Sequence, residues 1–128
     1  KYGGVANVMP NLSILFMISM LASIGLPGLS GFIGEFMTIV AMYNVDSLIA
    51  FCAALGIILG AVYMLKLYKS VMFGDITNND IKLFKDLTFD EKISLIILAS
   101  IIIYLGFLPG FVTNVISKAN FYIILQYN

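Results

Sequence analysis

An uncharged stretch near the start of the chain constrains its fold more than any other feature. From Leu12 to Gly34 there is no charged residue, and serine is the only polar residue. Over the whole chain 61% of residues are hydrophobic and 11% are charged, whereas a typical soluble domain has roughly 25% charged residues. Membrane barrels would instead alternate apolar and polar positions over about ten residues. The sequence therefore predicts an all-α integral membrane protein.

A cluster of glycine and proline interrupts this apolar stretch. The residues that interrupt it are Gly25, Pro27, Gly28 and Gly31. Each flanking segment is too short to cross a hydrocarbon core of about 30 Å, whereas one unbroken helix over residues 11–43 would overshoot it at about 50 Å. Two arrangements remain, a discontinuous helix broken near mid-membrane and a re-entrant hairpin of two half-helices. We favour the discontinuous helix.

Two more helices and a polar loop follow the interrupted segment. We expect a helix over residues 47–73, a cytoplasmic loop over 74–90, a helix over 91–108 and an interfacial tail helix over 111–128. Lysines mark one face of the membrane as cytoplasmic: Lys66, Lys69, Lys82, Lys85 and Lys92. The chain is therefore predicted to be a single membrane domain over residues 1–128 with three crossings, the first of them discontinuous.

One carboxylate, Glu35, follows the break. An ionisable side chain at membrane depth costs roughly 2.5–3.5 kcal/mol, so it indicates a function by default. A carboxyl group buried in this way titrates closer to neutral pH than one in water, as a proton relay requires. Its candidate neighbours along a chain of water are Ser30, Thr38, Tyr63 and Lys66. The alternative is structural, because a protonated carboxyl or an ion pair could also fasten two helices.

The composition also limits cofactors and partners. The chain has no His and one Cys, so it lacks the ligands for zinc, haem or an iron–sulfur cluster. We therefore expect it to bind no cofactor. Seven basic and seven acidic side chains balance, which gives no reason to expect nucleic acid as a partner. Lipid and other helices are the expected partners, and the pair Gly56 and Gly60 would let a neighbouring helix pack closely.

Several short motifs resemble a known family. They are Tyr2-Gly3-Gly4, Gly25-Leu26-Pro27-Gly28, Ser30-Gly31-Phe32, Gly34-Glu35-Phe36 and Gly106-Phe107-Leu108-Pro109. Through them nearly the whole chain resembles the subunit M (chain 4) family of the proton-pumping NADH:quinone oxidoreductase, respiratory complex I. The resemblance implies an antiporter-like subunit with two inverted halves, each built around a discontinuous helix. Glu35 matches the relay residue of the second half. Related subunits typically have Lys there, so the Glu favours subunit M.

The resemblance also implies a function and a location. It implies a proton-translocating, multi-pass subunit of the bacterial or mitochondrial inner membrane, beside other antiporter-like subunits. NADH, FMN, iron–sulfur clusters and quinone would be bound by other subunits. The family's earlier helices are missing, so we expect a carboxyl-terminal fragment. Two alternatives stay open: a subunit of a cation/proton antiporter or membrane-bound hydrogenase, and a structural or assembly subunit without transport.

Overall fold

The computed structural model describes residues 3–76, 79–111 and 113–117, and no β-strand occurs in these ranges. The α-helices are α1 (Pro10–Ser23), α2 (Ser30–Tyr43), α3 (Ser47–Met72) and α4 (Phe89–Phe107), with short 3-10 helices at Val5–Asn7 and Asn79–Leu83. Further helical residues lie at 110–111 and 113–117. The expectation of an all-helical chain is confirmed, and the helix ends agree with the predicted ones to within two residues for α3 and α4.

Helix α3 is the element along which α1 and α2 are arranged. Near its start, Ala54 and Ile57 line a cavity together with Phe32 of α2. Near its end, the Tyr68 hydroxyl oxygen lies 2.8 Å from that of Ser13 in α1. The two shorter helices therefore lie end to end along α3 rather than side by side.

Only α3, among the described residues, is long and apolar enough to cross a membrane by length and composition. Its 26 residues extend about 39 Å. Many of its large apolar side chains face outward, such as Leu59, which is 69% exposed. Helices α1 and α2 are also apolar but shorter. A surface of this kind is suited to lipid or to other helices rather than to water.

Helix α4 packs against both α1 and α2. Beyond its end, Pro109, Thr113 and Ile116 line a cavity of about 240 Å³ with α2 residues Ser30, Ile33, Gly34 and Met37. The predicted tail helix over residues 111–128 is described only at 111 and 113–117, and this part continues along α2. The rest of that prediction lies outside the described residues.

The polar segment between α3 and α4 folds back onto the helices. Ile81 is fully buried in a cluster with Val5, Met20, Tyr68 and Met72. At the segment's end Thr88 caps α4 in a capping box: its side chain accepts from the Glu91 backbone N–H, and Glu91 Oε2 accepts from the Thr88 backbone N–H at 2.9 Å. Such reciprocal capping satisfies the first amides of a helix. The predicted loop thus closes one end of the helix bundle.

Candidate functional site

Helix α1 ends in a turn that requires glycine. Gly25 has φ +76°, and its N–H donates to the Ala22 carbonyl at 3.2 Å, while the Leu26 N–H donates to the Leu21 carbonyl at 3.1 Å. These paired bonds, with a left-handed residue just past the helix end, satisfy carbonyls that would otherwise lack a partner. The break predicted from the glycines is therefore a defined turn over residues 24–29.

Helix α2 begins directly against the end of α1. Leu29 is its extended N-cap residue, and a Cβ placed on Gly31 would collide with the Ala22 carbonyl oxygen. The two half-helices thus approach each other backbone to backbone. The partly negative carboxyl end of α1 and the partly positive amino end of α2 meet at this point.

The carboxylate of Glu35 lies at this meeting point. A Cβ on Gly25 would collide with Glu35 Oε2 and would lie 2.9 Å from its Cδ, so the carboxylate lies directly against the Gly25 backbone, whose φ of +76° itself favours glycine. Glu35 is half-buried and lines a cavity of about 270 Å³ between α2 and α3. The other lining residues are Gly25 and six apolar residues: Phe32, Phe36, Ile39, Ala54, Ile57 and Ile58. Within residues 3–76, 79–111 and 113–117, no hydrogen bond or ion pair holds the carboxylate.

The residues predicted to lie along a water chain are dispersed around Glu35. Ser30 lines the cavity on the α4 side of α2, not the one that Glu35 lines. The Thr38 hydroxyl donates to the Gly34 carbonyl of its own helix at 2.7 Å. Tyr63 is 65% exposed, and Lys66 is also exposed. At 100° per residue Tyr63 lies opposite Ala54 on α3, and so faces away from the Glu35 cavity. The structure therefore does not bring these four residues together.

The remaining break residues face α4. Gly28 has φ +93°, and a Cβ there would lie 3.5 Å from the Phe107 ring. Pro27 is exposed and lines a shallow cavity of about 330 Å³ with Leu26, Gly28 and residues of α1 and α4. The break thus has two sides, one toward α3 with the carboxylate and one toward α4.

Gly56 and Gly60 lie on the outer face of α3. Both are exposed, and apart from the adjacent residues and backbone of α3 itself, no heavy atom of the described chain lies within 4 Å of a Cβ built on either. Cys52 is exposed as well. Packing of another helix against this pair stays a prediction.

Sequence reasoning missed the role of Asp86. Its Oδ2 accepts from the Asn11 backbone N–H at 3.1 Å and from Asn11 Nδ2 at 2.7 Å, and its Oδ1 accepts from Leu12 N–H at 3.4 Å. The N-cap residue of α1, Met9, has no side-chain oxygen with which to do this. When a helix begins with Met-Pro, its first free backbone N–H groups need a hydrogen-bond acceptor from another part of the fold.

The environment of Asp86 favours its ionised form. Partial burial raises the pKa of Asp86, but hydrogen bonds from Leu87 N–H, from the backbone and side chain of Asn11 and from Leu12 N–H outweigh burial, so the pKa is lowered overall. The carboxylate is thus a charged cap on the partly positive end of α1. No group of three or more His, Cys, Asp or Glu that could hold a metal ion occurs in the part of the chain that the structure describes.

The apolar helices and the interrupted segment are typical of an all-α membrane protein, and comparisons with known proteins agree with this class. Residues 1–60 match a transmembrane family described as NADH:quinone oxidoreductase/Mrp antiporter. More specifically, the chain is 61% identical to NADH-quinone oxidoreductase subunit M of Rickettsia prowazekii over 115 residues, covering 90% of this chain and 23% of the relative. It is 37% identical to subunit M of Rhodobacter capsulatus, covering 99% of this chain and 25% of the relative.

A solved structure and a plant relative extend the likeness. The chain is similar to a chain of respiratory complex I from Thermus thermophilus with bound NADH, at a TM-score of 0.76 and 32% identity, covering 87% of this chain and 23% of that one. It is also 43% identical to NADH-ubiquinone oxidoreductase chain 4 of Marchantia polymorpha, over 84% of this chain and 22% of the relative. The resemblance to subunit M is therefore confirmed, and the chain spans about a quarter of the length of these relatives.

Proposed function

We propose that the chain is part of a proton-translocating membrane subunit of NADH:quinone oxidoreductase, and that Glu35 takes up and releases protons at the helix break. The chain does no redox chemistry in this proposal. NADH, FMN, iron–sulfur clusters and quinone are held by other subunits, and the chain contacts lipid and adjacent antiporter-like subunits. The membrane is the bacterial inner membrane or the mitochondrial inner membrane.

The observation that carries the proposal is the position of the Glu35 carboxylate between two half-helices. Irregular backbone at membrane depth is tolerated only where protein buries it or water lines it. The adjoining cavity of about 270 Å³ is far larger than the 10–15 Å³ or so that one water molecule needs. In this cavity the carboxyl group is the polar side chain at which water would gather. Proton uptake would leave Glu35 neutral among apolar side chains, and release would return it to the ionised form.

The helix arrangement supports a topology of three crossings. Helices α1 and α2 lie end to end along α3, as one discontinuous span would. Helix α3 is the second crossing and α4 the third. The segment that closes the end of the bundle contains Lys82 and Lys85, and α3 carries Lys66 and Lys69 toward the same end. This end is the cytoplasmic one in the proposal, because basic residues accumulate on that side.

A structural role for Glu35 is the second candidate, and one observation favours it. The carboxylate is half-buried without a partner among the described residues, so it could pair with a cation supplied by another part of the complex. An ion pair of this kind would hold subunits or helices together. An antiporter subunit is the third candidate, because the matching family includes Mrp antiporters by description. The relatives named above favour the oxidoreductase.

The substitution Glu35→Gln in the assembled complex separates these candidates. Gln keeps the size of the side chain and removes the titrating proton. We expect normal assembly and a fall of about tenfold or more in turnover coupled to pumping, since positioned proton transfer contributes about 10²–10⁴-fold. The measurement is protons moved per electron in membrane vesicles, together with the rate of NADH oxidation.

Glu91→Gln is the matched control, because Glu91 is the other glutamate of the chain and Gln also completes a capping box. This variant should behave as wild type. Unchanged pumping and turnover in assembled Glu35→Gln complexes would refute the relay. Loss of assembly in Glu35→Gln alone would favour the structural role.

A further inference from the structure

The helix break is supported from the side opposite to the Glu35 cavity. Gly106, in the last turn of α4, lies directly against the break, because a Cβ on it would collide with the Gly28 carbonyl oxygen. The same Cβ would lie 2.5 Å from both the Gly28 carbonyl carbon and the Leu29 Cα. All three atoms belong to backbone, which cannot swing aside as a flexible side chain can. Residue 106 therefore has no room for any side chain.

The atoms that Gly106 contacts determine where α2 begins. Leu29 is the N-cap residue of α2, and its carbonyl accepts from the Phe32 N–H at 3.2 Å. Glu35 lies in the second turn of the same helix. A displacement of Leu29 would therefore move α2 as a unit and would change the distance between the Glu35 carboxylate and Gly25.

The half-helices have little freedom to absorb such a displacement. Gly31 already lies against the Ala22 carbonyl and the Gly25 Cα, all of which are backbone atoms. Close backbone contacts transmit strain because protein interiors are packed as tightly as organic crystals. The contact of α4 with the break and the contact between the two half-helices therefore adjoin each other, so a displacement at one is passed to the other.

We propose that Gly106 is a positioning residue for Glu35: by its contact with Gly28 and Leu29 it holds the two half-helices at the separation in which the Glu35 carboxylate fits against Gly25. This inference rests on the proposed function only for its consequence in pumping. The geometric part concerns the surroundings of the carboxyl group and can be measured separately.

The surroundings of Glu35 allow a change in the titration of its carboxyl group to be interpreted. The residues that line its cavity are Gly25 and apolar residues of α2 and α3, so among the described residues no second titratable side chain shares that cavity. A changed titration midpoint of this carboxyl group would therefore report a changed position or changed access to water rather than a new charged neighbour.

Gly106→Ala in the intact complex tests the proposal. The readout is the pH midpoint of the infrared carboxyl band that Glu35→Gln removes, with protons pumped per electron as a second readout. We expect the midpoint to move by about one pH unit, equivalent to a tenfold change in proton affinity, and pumping to fall. Gly110→Ala is the matched control, because a Cβ there meets nothing within 4 Å among the described residues beyond its own chain neighbours and local helix backbone, and its midpoint should equal that of wild type.

A second variant keeps the proposal testable if Gly106→Ala does not assemble. Phe107→Ala removes the neighbouring ring, which lies against Gly28 beside the Gly106 contact, and adds no atom. It therefore loosens the packing of α4 on the break, and we expect it to move the midpoint in an assembled complex. A midpoint unchanged in Phe107→Ala, or in assembled Gly106→Ala, would overturn the positioning role. If Glu35→Gln pumped normally while Gly106→Ala still moved the midpoint, the relay would fail and the positioning role would stand.

Discussion

The two ends of α1 are held by opposite means. At its start, side chains supply the contacts: Asp86 reaches from a distant segment to cap Asn11 and Leu12, and the hydroxyl groups of Ser13 and Tyr68 pair in the interior. At its end, the contacts are between backbone atoms, because glycines without side chains let α2 and α4 pack directly against the backbone of the break. The first end would lose stability if atoms were removed, and the second if atoms were added.

At the end of α1, the backbone carbonyls obtain hydrogen-bond donors without any polar side chain. The last carbonyls of a helix need donors, and at the break they receive them from the backbone of the turn itself. This leaves the Glu35 carboxyl without a competing hydrogen-bond partner among the described residues. In the proposed relay, this freedom leaves the Glu35 carboxyl able to take up and release a proton.

Gly31→Ala should give the largest effect, because it adds an atom at the end of α1 that tolerates none. The new Cβ would collide with the Ala22 carbonyl, and overpacking against backbone costs about 3 kcal/mol, toward the upper end of such changes. We expect the variant subunit to be nearly absent from assembled complexes on native gels. Gly34→Ala, on the same helix with open space at its Cβ, should assemble normally. Equal assembly of Gly31→Ala and Gly34→Ala would show that the end of α1 does not depend on close backbone contact.

Asp86→Ala should give an intermediate effect, because it removes the cap at the other end of α1. We expect amide hydrogen exchange at Asn11 and Leu12 to rise roughly fivefold, as for a lost N-cap. Asp86→Asn, which retains one acceptor oxygen, should lie between Ala and wild type. Asp75→Ala, in the same segment, should leave the exchange of both amides unchanged. Exchange that did not respond to Asp86→Ala would show that the start of α1 does not depend on this side chain.

The same cap predicts a dependence on pH. Because the pKa of Asp86 is lowered in the folded chain from its ordinary value of 3.8, its contribution to stability is complete above that value. It is lost as the pH falls through the lower folded-state pKa. Protection of the Asn11 and Leu12 amides should therefore decline only in strong acid, and in Asp86→Asn this decline should be absent.

Gly56→Ala and Gly60→Ala should give the smallest effects. Added methyl groups meet no atom of the described chain outside the local segment of α3, and replacing glycine by alanine in a helix stabilises it by about 0.5–1 kcal/mol. We expect an unchanged or slightly higher thermal midpoint for the purified chain in detergent. A lower midpoint would contradict the open geometry of this face. Loss of assembly in the complex alone would instead show that another helix covers the pair, as its spacing predicts.

Much of the fold could be read from local sequence. The uncharged stretch and low overall charge require helices in an apolar environment, and Thr88 with Glu91 marks the start of α4. Gly25 marks the end of α1, because a helix that ends in a left-handed residue favours glycine there. Glu35, which interrupts an otherwise uncharged stretch, marks the candidate site. Each of these inferences depends on interactions within a few residues, which is why one sequence suffices for them.

Tertiary structure alone decided which groups meet. Gly31 and Gly106 resemble Gly56 and Gly60 in sequence, yet the first two meet backbone where a side chain would begin and the last two have open space. In the sequence Asp86 is an ordinary loop residue, but the fold places its Oδ2 2.7 Å from Asn11 Nδ2, 75 positions away. Ser30 lies five positions from Glu35 and yet lines a different cavity. Such contacts depend on the approach of distant backbone segments, which no local pattern encodes.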